Sequence, residues 1–145
     1  MIWGVKMYLT EEEIAIYERE VLLKEDKEIL FEMTNIRKKY TGLPCNIWID
    51  DMSDARNVKH NVPRIKFQND TGDDVNDNLV PLSIDKENPQ ILSKRLKVKL
   101  SKNDFELVQQ FVKNNFDVLL RHWHHEIDSF EFKDQMIPMN KKAPQ

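Results

Sequence analysis

The sequence predicts one α+β domain, with a mostly antiparallel sheet of about four strands packed against long N-terminal and C-terminal helices. Three observations carry this. Leu43–Gln68 holds two short runs, NIWID and VPRIKFQ, in which side chains alternate with a period of two. On both sides of this middle, from Thr10 to Thr41 and from Ser101 to Trp123, apolar residues recur at spacings of three and four. The length of 145 residues suits a single domain, and three glycines are too few for a turn-dense all-β fold or a glycine-rich phosphate loop.

Met1–Leu9 is short and apolar and reads as an arm or an edge strand. Thr10 with Glu13 forms a capping box, in which hydroxyl and carboxylate each satisfy the other residue's backbone donor. No Gly or Pro interrupts Thr10–Thr41. Ile14, Tyr17 and Val21 keep helical spacing, and so do Ile29, Met33, Ile36 and Tyr40. Lys24–Glu28 between them is polar all round, so the stretch reads as one long helix or as two broken near Glu25. Gly42 is placed to end it, with Pro44 following.

Asn46–Asp50 is the first expected strand, with Ile47 and Ile49 on one face and Trp48 on the other. Val62–Gln68 is the second, with Ile65 and Phe67 opposed to Arg64, Lys66 and Gln68; Pro63 lacks an N–H and belongs at its start or on an edge. Asn69–Asn78 is a loop in which Gly72 supplies the turn. Leu79–Ile84 directs Val80, Leu82 and Ile84 inward, and Pro81 limits it to an edge or an irregular pairing. Lys94–Leu100 alternates cleanly and reads as a fourth, half-buried strand. Ser101 then caps a helix whose stripe is Phe105, Val108, Val112, Phe116, Leu119 and Trp123. Ile127–Ile137 is a short final helix, and residues 138–145 are a flexible tail.

Composition narrows the function classes. Cys45 is the only cysteine, which excludes an internal disulfide and a structural zinc site built from cysteines, and fits a reducing cytoplasmic compartment. The N-terminus lacks a signal-peptide pattern, and no apolar run reaches the ~18 residues that span a bilayer. A soluble cytoplasmic protein is expected, with no membrane partner. Cys45 with His60 lacks the orienting group and oxyanion site that thiol catalysis needs, so no catalytic residue is assigned. In the run His122, Trp123, His124, His125, Glu126, helical geometry would put His122 and Glu126 on one face, as a metal-dependent enzyme would use them. The order does not match the zinc-protease pattern and no third ligand is evident, so no metal or other cofactor is expected.

Charge is separated along the chain, whose net charge is −3. Glu11–Glu32 carries nine acids against three bases, and Asn69–Asp77 carries four acids and no base. Lys94–Lys102 carries five bases and no acid. Closely spaced carboxylates can imitate a phosphate backbone and occupy a basic groove. Glu11, Glu12, Glu13, Asp70, Asp73, Asp74 and Asp77 are therefore the expected partner-binding residues. Asp50, Asp51 and Asp54 form a smaller acidic group without the alternation of a calcium loop. The alternative reading is nucleic-acid binding. Arg64, Lys66, Arg95, Lys97 and Lys99 would form a basic sheet face that follows phosphates, with Trp48 as a stacking surface.

HNVPRIKF (His60–Phe67) followed by LSKNDFELVQQFVKNNFDVLLRHW (Leu100–Trp123) resembles a family of small bacterial domains of unknown function, some of them beside toxin–antitoxin genes. The likeness covers the second half of the chain. The acidic N-terminal segment and the Asp-rich loop depart from the pattern. The resemblance implies a fold and a bacterial or mobile-element setting, and no active site. The expectation is a non-enzymatic protein that docks on a protein or nucleoprotein partner, in its most concrete form an inhibitor of a nuclease, toxin or defence system.

Overall fold

The computed structural model describes residues 9–17, 33–50 and 62–139. In chain order the elements are α1 (Glu11–Tyr17), β1 (Thr34–Ile36), α2 (Lys38–Thr41), β2 (Ile47–Ile49), β3 (Arg64–Gln68), β4 (Leu79–Ser83), α3 (Lys102–Asn114), α4 (Phe116–Trp123) and α5 (Ser129–Gln135). Residues 1–8 of the expected arm, the break near Glu25 and residues 140–145 of the expected tail lie outside the described residues.

Among the described residues the sheet has four strands in the order β1-β2-β3-β4, every neighbouring pair antiparallel. The α+β class and the strand number are as the sequence predicts, but the set of strands is not. Thr34–Ile36, expected to be helical, is β1 and pairs Ile36 with Ile47. β-branched Thr34 and Ile36 suit a strand, and pairing against β2 outweighs a helical pattern that is strong only over longer windows. Lys94–Leu100, expected to be a strand, makes no ladder. The outer edge of β4 is already taken by Gln90–Leu92, through Ser83 N–H to Gln90 O at 2.9 Å and Leu92 N–H to Pro81 O at 3.0 Å. The segment is fixed instead by the Asn69 side chain, which donates to Lys97 O at 2.8 Å and accepts from Lys99 N–H at 2.7 Å. Leu96, expected inward, is exposed.

Among the described residues the helices are shorter than expected, and the stretch that follows Tyr17 lies outside them. α1 spans seven residues, and its capping box is present: Thr10 N–H donates to Glu13 Oε1 at 2.9 Å and Glu13 N–H to Thr10 Oγ1 at 3.1 Å. Gly42 ends α2 at φ 76°, its N–H donating to Lys38 O at 2.9 Å, a left-handed position that glycine takes without steric cost. Ser101 caps α3 by accepting from Asp104 N–H. The expected C-terminal helix divides at Asn115, whose side chain donates to Phe111 O and Ile137 O and accepts from Ile137 N–H. The apolar stripe survives the division, because Val108, Val112, Leu119 and Trp123 are all buried. An Asp128/Glu131 capping box starts α5.

One sheet face, from Ile36 through Ile47, Ile49, Ile65, Phe67, Val80 and Leu82, packs with Phe111, Val112, Leu119, Trp123 and Phe132 in the main core. A smaller cluster joins Ile14 of α1 to Val62 and Leu92. The other face is buried too. Trp48 packs with Met33 and Leu79, and Arg64, Lys66 and Gln68, expected to point to solvent, are all buried.

Candidate docking surface

The Asp-rich loop between β3 and β4 is tied to the sheet by amides. Gln68, fully buried at the end of β3, donates from Nε2 to Asp70 Oδ1 at 2.9 Å and to Asp74 O at 3.0 Å. Its Oε1 accepts from Asn46 Nδ2 and Asn76 N–H, each at 3.3 Å. Asp70 is the loop's hub. Oδ1 also accepts from Gly72 N–H at 2.9 Å and Oδ2 from Asn76 Nδ2 at 3.0 Å. These bonds, led by those from Asn76 and Gln68, hold its carboxyl below the ordinary carboxylate value. From α2, Lys38 Nζ meets Asp73 Oδ1 at 3.0 Å and donates to Thr71 O. Two short elements and a buried amide therefore fix a ten-residue turn that composition alone would leave loose.

The seven expected partner-binding acids divide into two groups on different elements. Glu13 is spent on the α1 cap, Glu11 pairs with Lys94 at 3.0 Å, and Glu12 is exposed. In the loop, Asp70 is turned to internal work, while Asp73, Asp74 and Asp77 are exposed. Asp73 keeps 84% of its side chain open despite its contact with Lys38, so its charge is still presented. Between these carboxylates Val75 is 49% exposed, and on α2 Tyr40 is 53% exposed. An apolar side chain held open inside a pinned acidic loop was not foreseen. Its sequence signal is the single Val within NDTGDDVNDN.

The basic stripe is not assembled as expected. Arg95, Lys97 and Lys99 are exposed, but Arg64 and Lys66 are buried and Trp48 is only 7% exposed. Arg64 reaches Asp50 Oδ2 at 3.6 Å, donates to Val62 O at 3.3 Å and lies 5.0 Å from the Trp123 ring centroid. It serves the interior of the protein.

The histidine run is split by the end of α4. His124 follows the helix, and His125 takes the left-handed conformation with φ 67°, so His122 and Glu126 do not share a helical face. His122 is buried, with Nδ1 3.1 Å from Asp50 O and Nε2 3.2 Å from Ser129 Oγ. A carbonyl only accepts, so Nδ1 carries a proton; in the neutral ring Nε2 then accepts from Ser129, which lies 2.9 Å from Thr34 Oγ1. This chain ties β1, the end of β2, α4 and α5 together. Among the described residues no three His, Cys, Asp or Glu side chains gather as a metal site would require. Burial pushes the Cys45 thiol up to about 12, with Asp104 and Asp70 adding to the rise, so it is an inert core residue. Its suggested partner His60, and Asp51 and Asp54 of the smaller acidic group, lie outside the described residues. Among the described residues no helix is long and apolar enough to cross a membrane.

No family model matches the chain, and neither a curated protein nor a solved structure is significantly similar to it.

Proposed function

We propose that this is a non-enzymatic interaction protein that presents the Asp73–Asp77 loop to a basic groove on a larger protein. In its most concrete form it is an antagonist of a nuclease, toxin or defence system in a bacterial or mobile-element setting. The observation that carries the reading is the combination of rigidity and exposure in one loop. Asp70, Gln68 and Lys38 pin the backbone, while three carboxylates and Val75 face solvent. A pinned loop loses little entropy on docking, and an apolar contact rimmed by charge has the makeup of an interface centre with a polar edge. Complementary charge would speed encounter and set orientation.

The test is affinity capture from a bacterial lysate, with and without nuclease treatment, using the wild-type chain and the triple variant Asp73→Asn, Asp74→Asn, Asp77→Asn. The expected result is a protein partner that survives nuclease and is lost from the variant. Partners that all disappear with nuclease, or that are held equally by the variant, would overturn the proposal.

A further inference from the structure

A surface cleft of ≈300 Å³ lies where α3 gives way to α4, on ground that the docking loop does not use. Its lining includes the cations Lys86, Lys113 and Arg121 and one carboxylate, Asp117. Three cations against one acid give this cleft a net positive lining in a chain whose net charge is −3. Lys113 and Arg121 are partly buried, and Lys86 is exposed. The cleft is also a built feature. Buried Asn115 grips Ile137 through Nδ2 to Ile137 O at 3.0 Å and Ile137 N–H to Oδ1 at 2.6 Å, which holds the C-terminal segment beside α4 as a wall. Arg121 is steadied by Gln135 Oε1 at 2.9 Å. Apolar surface completes the lining. Phe116 lies beneath the Lys86 ammonium, 6.0 Å from its ring centroid, and Ile137 is 56% exposed.

We infer that this cleft binds a small organic phosphate, its phosphate among Lys86, Lys113 and Arg121 and its apolar or aromatic part against Phe116 and Ile137. The volume is at the lower end for ligand pockets, about 300–1,000 Å³, which suits a mononucleotide-sized molecule. Arg121 provides the planar fork that fits phosphate oxygens, and the two lysines provide point charges that neutralise the dianion.

Isothermal titration calorimetry with AMP, inorganic phosphate and adenosine tests this on the full chain. AMP is expected to bind most tightly, inorganic phosphate more weakly, and adenosine not at all. The double variant Lys86→Gln, Lys113→Gln is expected to weaken AMP about tenfold or more. Both of its positions are at the surface or partly so, and an unchanged melting temperature verifies that it folds. Phe116→Leu is expected to weaken AMP while sparing inorganic phosphate. Absence of AMP binding at about 5 mM, or equal affinity in the double variant, would overturn the site. AMP binding no tighter than inorganic phosphate would overturn the organic part of the assignment.

Discussion

Arg64 and Asp50 show how far a single residue's environment can depart from its place in an alternating pattern. By period two Arg64 opposes Ile65, a solvent position in a half-buried strand, yet it is 1% exposed and meets a carboxylate that is 3% exposed. Removing one partner of a buried ion pair leaves the other charge in a poorly solvating interior. Arg64→Met is therefore expected to cost roughly 3–5 kcal/mol in urea denaturation. Adding Asp50→Asn should return part of that loss, so the double variant should be less destabilised than the sum of the two single changes. Asp70 makes a gentler prediction. Its carboxyl is held below the ordinary carboxylate value by bonds from Asn76, Gln68 and Gly72. A depressed carboxyl contributes stability that is fully present above its unfolded value and is lost as pH falls through the folded one. The Gly72 amide shift should accordingly titrate with a midpoint below the ordinary aspartate value, whereas a midpoint above it would mean that the loop is not pinned through Asp70.

At the scale of elements, the sequence was most legible where a cap and a long apolar stripe agreed. Ser101 and the Val108–Trp123 stripe mark the start of α3 and the buried face that α3 and α4 share, but not the break at Asn115. Short strands were not legible. β1 is three residues long, fewer than the alternation needed to show a period of two, and it sits in a run whose Met33, Ile36 and Tyr40 also match a helix. Lys94–Leu100 had the better pattern but finds the β4 edge held by Gln90–Leu92, and edge occupancy is a property of the whole sheet. The candidate loop was legible as acidic, but which carboxylate turns inward depended on Gln68 and Asn76 finding Asp70. Core and surface aromatics on the C-terminal helices separate in the same way. Phe111 is fully buried, and its change to Ala should cost about 3–5 kcal/mol in thermal or urea unfolding. Phe130 is 81% exposed on α5, and Phe130→Ala should stay within about 0.5 kcal/mol of wild type. Equal losses at the two positions would show that α5 packs differently from the structure described.

On the whole molecule, a net charge of −3 is too small to steer a partner by itself, so the local arrangement of charge decides. The structure partly neutralises the segregation visible in the sequence. Glu11 of the acidic N-terminal segment meets Lys94 of the basic run, and Lys38 meets Asp73. Both contacts are exposed enough to contribute little to stability. The exposed Asp74 and Asp77 and the open Asp73 keep the loop negative, while Arg95, Lys97 and Lys99 keep their own surface positive. Two regions of opposite sign give opposite salt and mutation signatures. Once a partner is in hand, neutralising Asp73, Asp74 and Asp77 to Asn should slow its association about tenfold and change dissociation much less, because steering acts before contact. Raising ionic strength to about 1 M, where the screening length shrinks to about 3 Å, should bring the wild-type rate down to that of the variant. Reversing Lys97 and Lys99 to Glu should leave association as fast as wild type or faster, since both side chains are exposed and the change adds to the field that attracts a basic groove. Stopped-flow mixing of the three proteins with the captured partner measures all of this. Submicromolar, salt-sensitive binding of single-stranded RNA or DNA that vanishes on reversing Lys97 and Lys99 would instead make the basic surface the functional one.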